Sequence, residues 1–497
     1  MTTNAPAYDA MISHVRQTTA LAQAAGLLDW DQETVMPPRG ASLRAEQAAA
    51  LEDAVHARRT DPRLGDWLDT LDPTTLAPEA ARNVTLIRRS YERATRLPAE
   101  LGAAMARASS RGRITWSRAR AAGRFADFAP ALKEMLDLKR QEAACIAKDG
   151  QSPYDALLQD YEPGMTADRL IPLLESLRAP LSELRAAIAD ARAHVPQPEG
   201  HFPADRQLAL SRLLAPVLGY DLDAGRIDLA VHPFCSGSGG DVRITTRIDE
   251  SDPLGCIYST IHEMGHALYE QNMPEDTLLE PRGRYASMGV HESQSRMLEN
   301  QIGRSRPFAD WLWPRFRDAF GAAGLADADA LYRAVNRVHS GFIRTEADEV
   351  HYNLHIIMRT ALERDLITGA LEVDDLEDAW NTRFEADFGI AVPNATQGVL
   401  QDIHWSQGLF GYFPTYSLGN IYAAELFAAM RTQIDDIDGC IARGELRPLL
   451  DWLTGNVHRH ASAMEPEALI EQAIGHKPTA APLIAYLRDK FGRLYGL

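Results

Sequence analysis

Cysteine is scarce in this chain: four in 497 residues, with no CxxC pair among them. Cys145, Cys235, Cys256 and Cys440 are scattered, which excludes a dense disulfide framework and suits a reducing compartment. No run of about 18 apolar residues occurs, so no membrane-spanning helix is expected. The opening MTTNAPAYDAMISHVRQTTA lacks the basic-then-apolar layout of a secretion signal. A basic stripe is missing too, since 51 Lys+Arg face 69 Asp+Glu for a formal net charge of −18. A surface of that sign repels nucleic acid and anionic membranes, so neither is expected as a partner. These absences together predict a cytoplasmic protein.

Helix formers are abundant. SLRAEQAAALEDAVHARR (42–59) and RLIPLLESLRAPLSELRAAIADARAHV (169–195) are rich in Ala, Leu, Arg and Glu, with apolar residues three and four apart. LDPTTLAPEA (71–80) and VPQPEGHFP (195–203) carry the Pro and Gly of helix connections. No repeat of 20–50 residues is evident. One region reads as strand. RIDLAVHPF (226–234) and DVRITTRI (241–248) both alternate around the loop CSGSGG, predicting a small β-hairpin over 226–248.

STIHEMGHALYE (259–270) carries the chemistry. Asp252 and Pro253 form a good helix start, and Leu254, Ile257, Ile261, Met264 and Leu268 recur at spacings of three and four as one apolar stripe. His262, Glu263 and His266 share a face turned away from that stripe, where core histidines would not lie. Side chains four apart stand about 5–6 Å from each other at Cβ, so two imidazoles can converge on one zinc ion. Glu263, beside the first candidate ligand, is placed to act as general base. With 15 His in the chain, an accidental HExxH is expected roughly 0.03 times, so the metal-site reading prevails.

A catalytic zinc takes three protein ligands and one open position. Downstream, GVHESQSRMLENQ (289–301) offers Glu292 and Glu299, seven apart on one helix face, and spacing alone does not choose between them. His351 and His355 in EADEVHYNLH also stand four apart, but lack a glutamate directly after the first histidine. That pair reads as packing.

With these segments quoted, the chain resembles the carboxypeptidase Taq family of HExxH metallocarboxypeptidases. HEMGH (262–266) is followed by HESQS (291–295), by IRTEAD (343–348), by GVLQDIHW (398–405) and by FGYFPTYSLGN (410–420), each similar to a family segment. LLDWDQETVMPPRGA (27–41), YDALLQDYEPGM (154–165) and HPFCSGSGGDVRITTR (232–247) extend the resemblance through most of the chain. It implies a mainly α, two-lobed metallopeptidase fold with a deep central groove and a small β-sheet, in one catalytic domain spanning 1–497. It also implies a homodimer, a bound zinc or cobalt ion, and removal of single residues from the C-termini of peptides. Carried over, the metal ligands are His262, His266 and Glu292, leaving Glu299 as a packing or supporting carboxylate.

An exopeptidase must recognise a free carboxylate, and arginine suits that task. Arg344 in IRTEAD is the first choice by resemblance, with Arg243 and Arg247 on the predicted hairpin behind it. His404, Tyr412 and Tyr416 are the candidate donors to the oxyanion that forms during attack on the peptide carbonyl. Two positions depart from the family pattern: Gly411, where some members carry Arg, and His351, where a smaller residue is expected. Two other readings compete with the carboxypeptidase: an oligopeptidase cutting internal bonds, and a peptide-binding scaffold without turnover. An intact His262, Glu263, His266 and Glu292 set argues against the second.

Overall fold

The structure, a computed structural model, describes residues 4–191 and 195–497, apart from the side chains of residues 4 and 5. The chain is predominantly helical, with one three-stranded sheet among the described residues. The helices predicted over 42–59 and 169–195 form as Ala41–Arg59 and Ala167–Asp190. The second stops short of its predicted end, and residues 192–194 of that prediction lie outside the described residues. Among the described residues, no helix is long and apolar enough to cross a membrane.

The sheet corrects the predicted hairpin. Its strands are β1 (Gly225–Leu229), β2 (Cys235–Ser238) and β3 (Asp241–Thr246), in the order β1-β3-β2. β1 pairs parallel with β3, Ile227 opposite Ile244, so the two alternating segments are neighbours but not a hairpin. The hairpin is β2–β3, antiparallel, with Cys235 opposite Ile244. CSGS has no apolar alternation to betray it as a strand. It forms because the second edge of β3 leaves N–H and C=O groups that need partners.

β3 supports the helix that follows. Val242 and Ile244 are fully buried, and the Thr246 hydroxyl meets the Ser259 hydroxyl at 2.9 Å and that of Thr260 at 3.0 Å. The helix itself runs Pro253–Gln271, capped by Asp252, whose carboxylate accepts the Leu254 N–H at 3.0 Å, as the sequence predicts. Ile257, Ile261 and Met264 are wholly buried and Leu268 nearly so. Each contributes about 1.5–3 kcal/mol by leaving water. The stripe fixes the helix in the main core, which gathers buried residues from Ala108 to Leu494. A second, smaller core of Met11, Ile12, Leu64, Leu68, Leu71, Val84 and Ile87 holds the N-terminal helices.

Candidate metal centre and active site

Two close helix approaches build the centre. Gly265 lies against the backbone of a second helix, Met288–Arg296, so tightly that a methyl group there would stand 2.6 Å from Gln294 O. Gly419, on the helix Pro414–Gln433, presses on the same helix at Glu292: its missing Cβ would lie 2.7 Å from Glu292 Cβ. Glu292 is thereby delivered onto the two histidines.

His262, His266 and Glu292 place one donor atom each within 4.8 Å of the others, the one such group of three found among the described residues. Glu292 Oε2 is 3.3 Å from His266 Nε2 and 3.7 Å from His262 Nε2. Tetrahedral bonds of about 2.0–2.1 Å separate donors by roughly 3.3 Å, so two imidazoles and a carboxylate at these spacings fit a divalent ion such as zinc. The supporting contacts fit as well. His262 Nδ1 is 2.9 Å from Glu299 Oε2, which directs its Nε2 lone pair toward Glu292 and His266. His266 stacks on His291 at 4.5 Å, and His291 Nε2 is held 3.0 Å from Glu270 Oε1.

The charges are sorted by environment. Burial would raise Glu292, but Arg296, His262 and His266 outweigh it and hold the carboxyl well below its ordinary value. Glu299 is likewise held low against its burial, by His262, Arg296 and Arg304. Glu263 goes the other way. Burial, reinforced by the charges of Glu292 and Glu299, pushes it up to about 7 against the pull of His262. Burial and the neighbouring His291 push His266 down to about 3, the neutral form a metal ligand requires.

A second cluster adjoins the first through the Glu292 helix. Arg296 Nε donates to Glu292 Oε1 at 2.7 Å, and its guanidinium lies 4.3 Å from the Tyr352 ring centre. The Tyr352 hydroxyl accepts from Arg344 Nη1 at 3.0 Å. Arg344 Nε donates to Asp402 Oδ1 at 2.9 Å, while Arg359 Nε donates to Asp402 Oδ2 at 2.6 Å. Arg344 is therefore not a free fork: it is buried, and its guanidinium stacks 4.9 Å from the Tyr416 ring centre. The Tyr416 hydroxyl meets His404 Nε2 at 3.2 Å, and the Tyr412 ring lies 5.4 Å from that of Tyr416. Burial pushes His404 down to about 3 and, with the nearby Glu292 charge, pushes Tyr412 up to about 12.

Arg243 and Arg247 do not join these clusters. Arg243 is paired with Asp241 on its own strand at 2.7 and 2.9 Å and stacks 4.2 Å from the Trp30 ring centre. Arg247 is exposed beyond the end of β3. The His351–His355 pair is core, as the sequence suggests. His351 Nδ1 is 2.9 Å from Asp348 Oδ2, and His355 Nδ1 is 3.1 Å from Arg359 Nη1. Sequence reasoning passed over Arg296, although its place four residues after Glu292 is the spacing of a helical ion pair. Asp402 and Arg359 left no such signal, because they meet across 43 residues, and Tyr352 stands eight residues from Arg344, outside any helical spacing.

An HExxH helix, a glutamate from a second helix and a buried carboxyl of raised pKa beside them are the features of a helical metallopeptidase. The family described as carboxypeptidase Taq (M32) metallopeptidase matches residues 10–491. Thermostable carboxypeptidase 1 of Thermus thermophilus is 42% identical, with 99% of each chain covered. Carboxypeptidase 1 of Bacillus subtilis is 34% identical over 97% of each. The crystal structure of the M32 carboxypeptidase from Deinococcus radiodurans R1 superposes with a TM-score of 0.95 at 39% identity, covering 99% of this chain and 100% of that one. Metallocarboxypeptidase 1 of Trypanosoma cruzi gives 0.96 at 34% identity, covering 98% and 99%. The chain belongs to the carboxypeptidase Taq (M32) family of metal-dependent carboxypeptidases.

Proposed function

We propose that His262, His266 and Glu292 hold one divalent ion, Zn2+ or Co2+, and that the enzyme releases single residues from peptides with a free C-terminus, with broad specificity. The observation that carries this reading is the convergence of three donors within 4.8 Å beside a buried carboxyl of raised pKa. When bound, the ion supplies Lewis-acid activation of water and of the scissile carbonyl. The remaining work falls to the protein. Glu263 takes a proton from the attacking water at its carboxylate and delivers it to the departing amine. Tyr412 and Tyr416 keep their phenolic protons at neutral pH, because burial raises both, and donate to the negative charge growing on the carbonyl oxygen. His404, held neutral, fixes the Tyr416 hydroxyl.

Arg344 recognises the substrate's C-terminal carboxylate through charge. Arg344 and Arg359 share the single carboxylate of Asp402, and the positive charge left over is complementary to one more anion. Arg243 and Arg247 have no part in this reading. On the strength of its resemblance, the chain is taken further as a cytoplasmic homodimer whose protomer is one catalytic domain of two helical lobes. Light scattering of the purified protein at twice the protomer mass is the expected result.

The deciding experiment offers one peptide to metal-loaded enzyme as the free acid and as the C-terminal amide, with products read by mass spectrometry. A ladder losing residues from the acid, with the amide spared, supports the carboxypeptidase and its carboxylate recognition. Internal cuts in both forms replace it with an oligopeptidase. No cleavage of either with metal bound leaves a binding protein.

A further inference from the structure

The segment YDALLQDYEPGM has no part in the reading above, yet it reaches the candidate centre from behind. Glu162 lies in the turn after the short helix Pro153–Leu158 and is 1% exposed. Its Oε1 accepts the Ser287 hydroxyl at 2.9 Å, and its Oε2 accepts the Gly289 N–H at 3.1 Å. Ser287 is the N-cap of the helix that carries Glu292, its hydroxyl accepting the Val290 N–H at 3.1 Å. The Met288 N–H is taken by the Tyr161 carbonyl at 3.0 Å. The first-turn N–H groups of Met288, Gly289 and Val290 are thus all satisfied, two of them by the dipeptide Tyr161–Glu162. No Arg or Lys pairs with Glu162 among the described residues, and burial pushes its carboxyl up to about 7 against the Ser287 and Gly289 donors, so its ionised form depends on these donors and on the helix terminus. Contact is intimate: a Cβ on Gly289 would stand 2.8 Å from Glu162 Oε2. Glu292 follows Gly289 by three residues, one helical turn along the same face. The neighbouring Tyr161 ring meets Tyr412 edge-on, with centroids 5.1 Å apart.

We infer that Glu162 is a positioning residue for the metal centre: by clamping the first turn of the Glu292 helix it sets the reach of Glu292 toward His262 and His266. This rests on the reading of Glu292 as a metal ligand. A packing role alone would support the fold without tuning the metal. Positioning requires that the carboxylate accept from Ser287 and Gly289 at once; a glutamine of the same shape keeps the Gly289 N–H but meets Ser287 only by donating its NH2 to the hydroxyl, which reverses that bond and removes the negative charge from the helix terminus.

The test compares Zn2+ affinity, measured by competition with a chelator, with the thermal stability of the metal-free protein. It uses the wild type and the Glu162→Gln, Ser287→Ala, Glu363→Gln and Glu292→Ala variants. Glu363 is an equally buried carboxyl, anchored elsewhere by Tyr154 and Gly411. Expected is a 10–100-fold loss of Zn2+ affinity in Glu162→Gln, the range typical of partners that orient metal ligands. The Co2+-loaded variant should also show an altered d–d spectrum, while Glu363→Gln keeps wild-type affinity. Should Glu162→Gln fail to fold, Ser287→Ala removes one of the two donors and is expected to lose several-fold in affinity. Wild-type Zn2+ affinity and Co2+ spectrum in Glu162→Gln, with Glu292→Ala losing the metal, overturns the positioning role alone. Retention of affinity in Glu292→Ala overturns the ligand assignment beneath it. Equal losses in Glu162→Gln and Glu363→Gln reduce Glu162 to packing and overturn the inference.

Discussion

Glu263 and Glu299 are buried carboxyls of one cluster, and their neighbours drive them apart. Burial raises both; His262, Arg296 and Arg304 overcome it at Glu299, which stays ionised, whereas at Glu263 burial, with two neighbouring carboxylates, prevails over His262 and the group rises to about 7. Such a divergence assigns different work to like groups. A carboxyl poised near neutrality suits proton transfer, so Glu263→Gln is expected to lower kcat by about 10²–10⁴-fold and leave Zn2+ affinity nearly unchanged. An ionised carboxylate on His262 Nδ1 suits orientation instead. Glu299→Gln should therefore weaken Zn2+ binding about 10–100-fold, with kcat at saturating metal much less affected. Chelator competition and steady-state kinetics on the two variants read both effects. If Glu299→Gln lost turnover while keeping its metal, the division of labour would be reversed.

Elements meet at this centre only because glycine stands at Gly265 and Gly419. The space that a methyl group on Gly265 would need is occupied by the backbone of Gln294 and Ser295, which has no flexible end to move aside. Gly265→Ala should push the two helices apart, costing about 1–3 kcal/mol in a denaturant titration. It should also move Glu292 off the histidines and weaken Zn2+ binding. A variant as stable as wild type with unchanged affinity would show that the helix approach has slack. The sequence announces the first helix clearly, because Asp252–Pro253, the apolar stripe and the HExxH spacing coincide on one segment. It does not choose between Glu292 and Glu299 from spacing, since seven residues return to one helical face. The structure separates them. Residues 297–303 wind as π-helix, and Glu299 meets the Nδ1 side of His262 while Glu292 faces Nε2. β2 is illegible for a related reason: CSGS has no apolar period, and its strand exists only through its neighbour β3. Arg344 is a carboxylate clamp in the sequence only by resemblance, and its pairing with Asp402 and Tyr352 appears only in the fold.

At the scale of the whole molecule, buried carboxyls without a cation make stability depend on pH. Glu363 is fully buried, and burial pushes its pKa up to about 8 against the hydrogen bonds of Tyr154, Trp405 and Gly411. In the unfolded chain the same group ionises near 4.3. Below that value both states are protonated, and the stabilisation contributed by the neutral, hydrogen-bonded group is fully present. As pH rises from there toward 8 the unfolded chain releases a proton that the native protein keeps, so stability falls by up to about 1.4 kcal/mol per pH unit from this site. Glutamine imitates the protonated acid. Its carbonyl oxygen can accept both the Tyr154 hydroxyl and the Gly411 N–H, which Glu363 Oε1 takes at 2.6 and 3.2 Å. Its NH2 takes the place of Oε2, which accepts Trp405 Nε1–H at 3.4 Å, so Glu363→Gln is expected to start about 1 kcal/mol below the wild type near pH 4.5 and to gain on it progressively up to pH 8. Denaturant titrations of both proteins at half-unit steps of pH measure the difference directly. Parallel curves would mean that Glu363 is ionised in the native protein, with the Tyr154 hydroxyl, the Trp405 indole N–H and the Gly411 N–H sufficient to carry its charge.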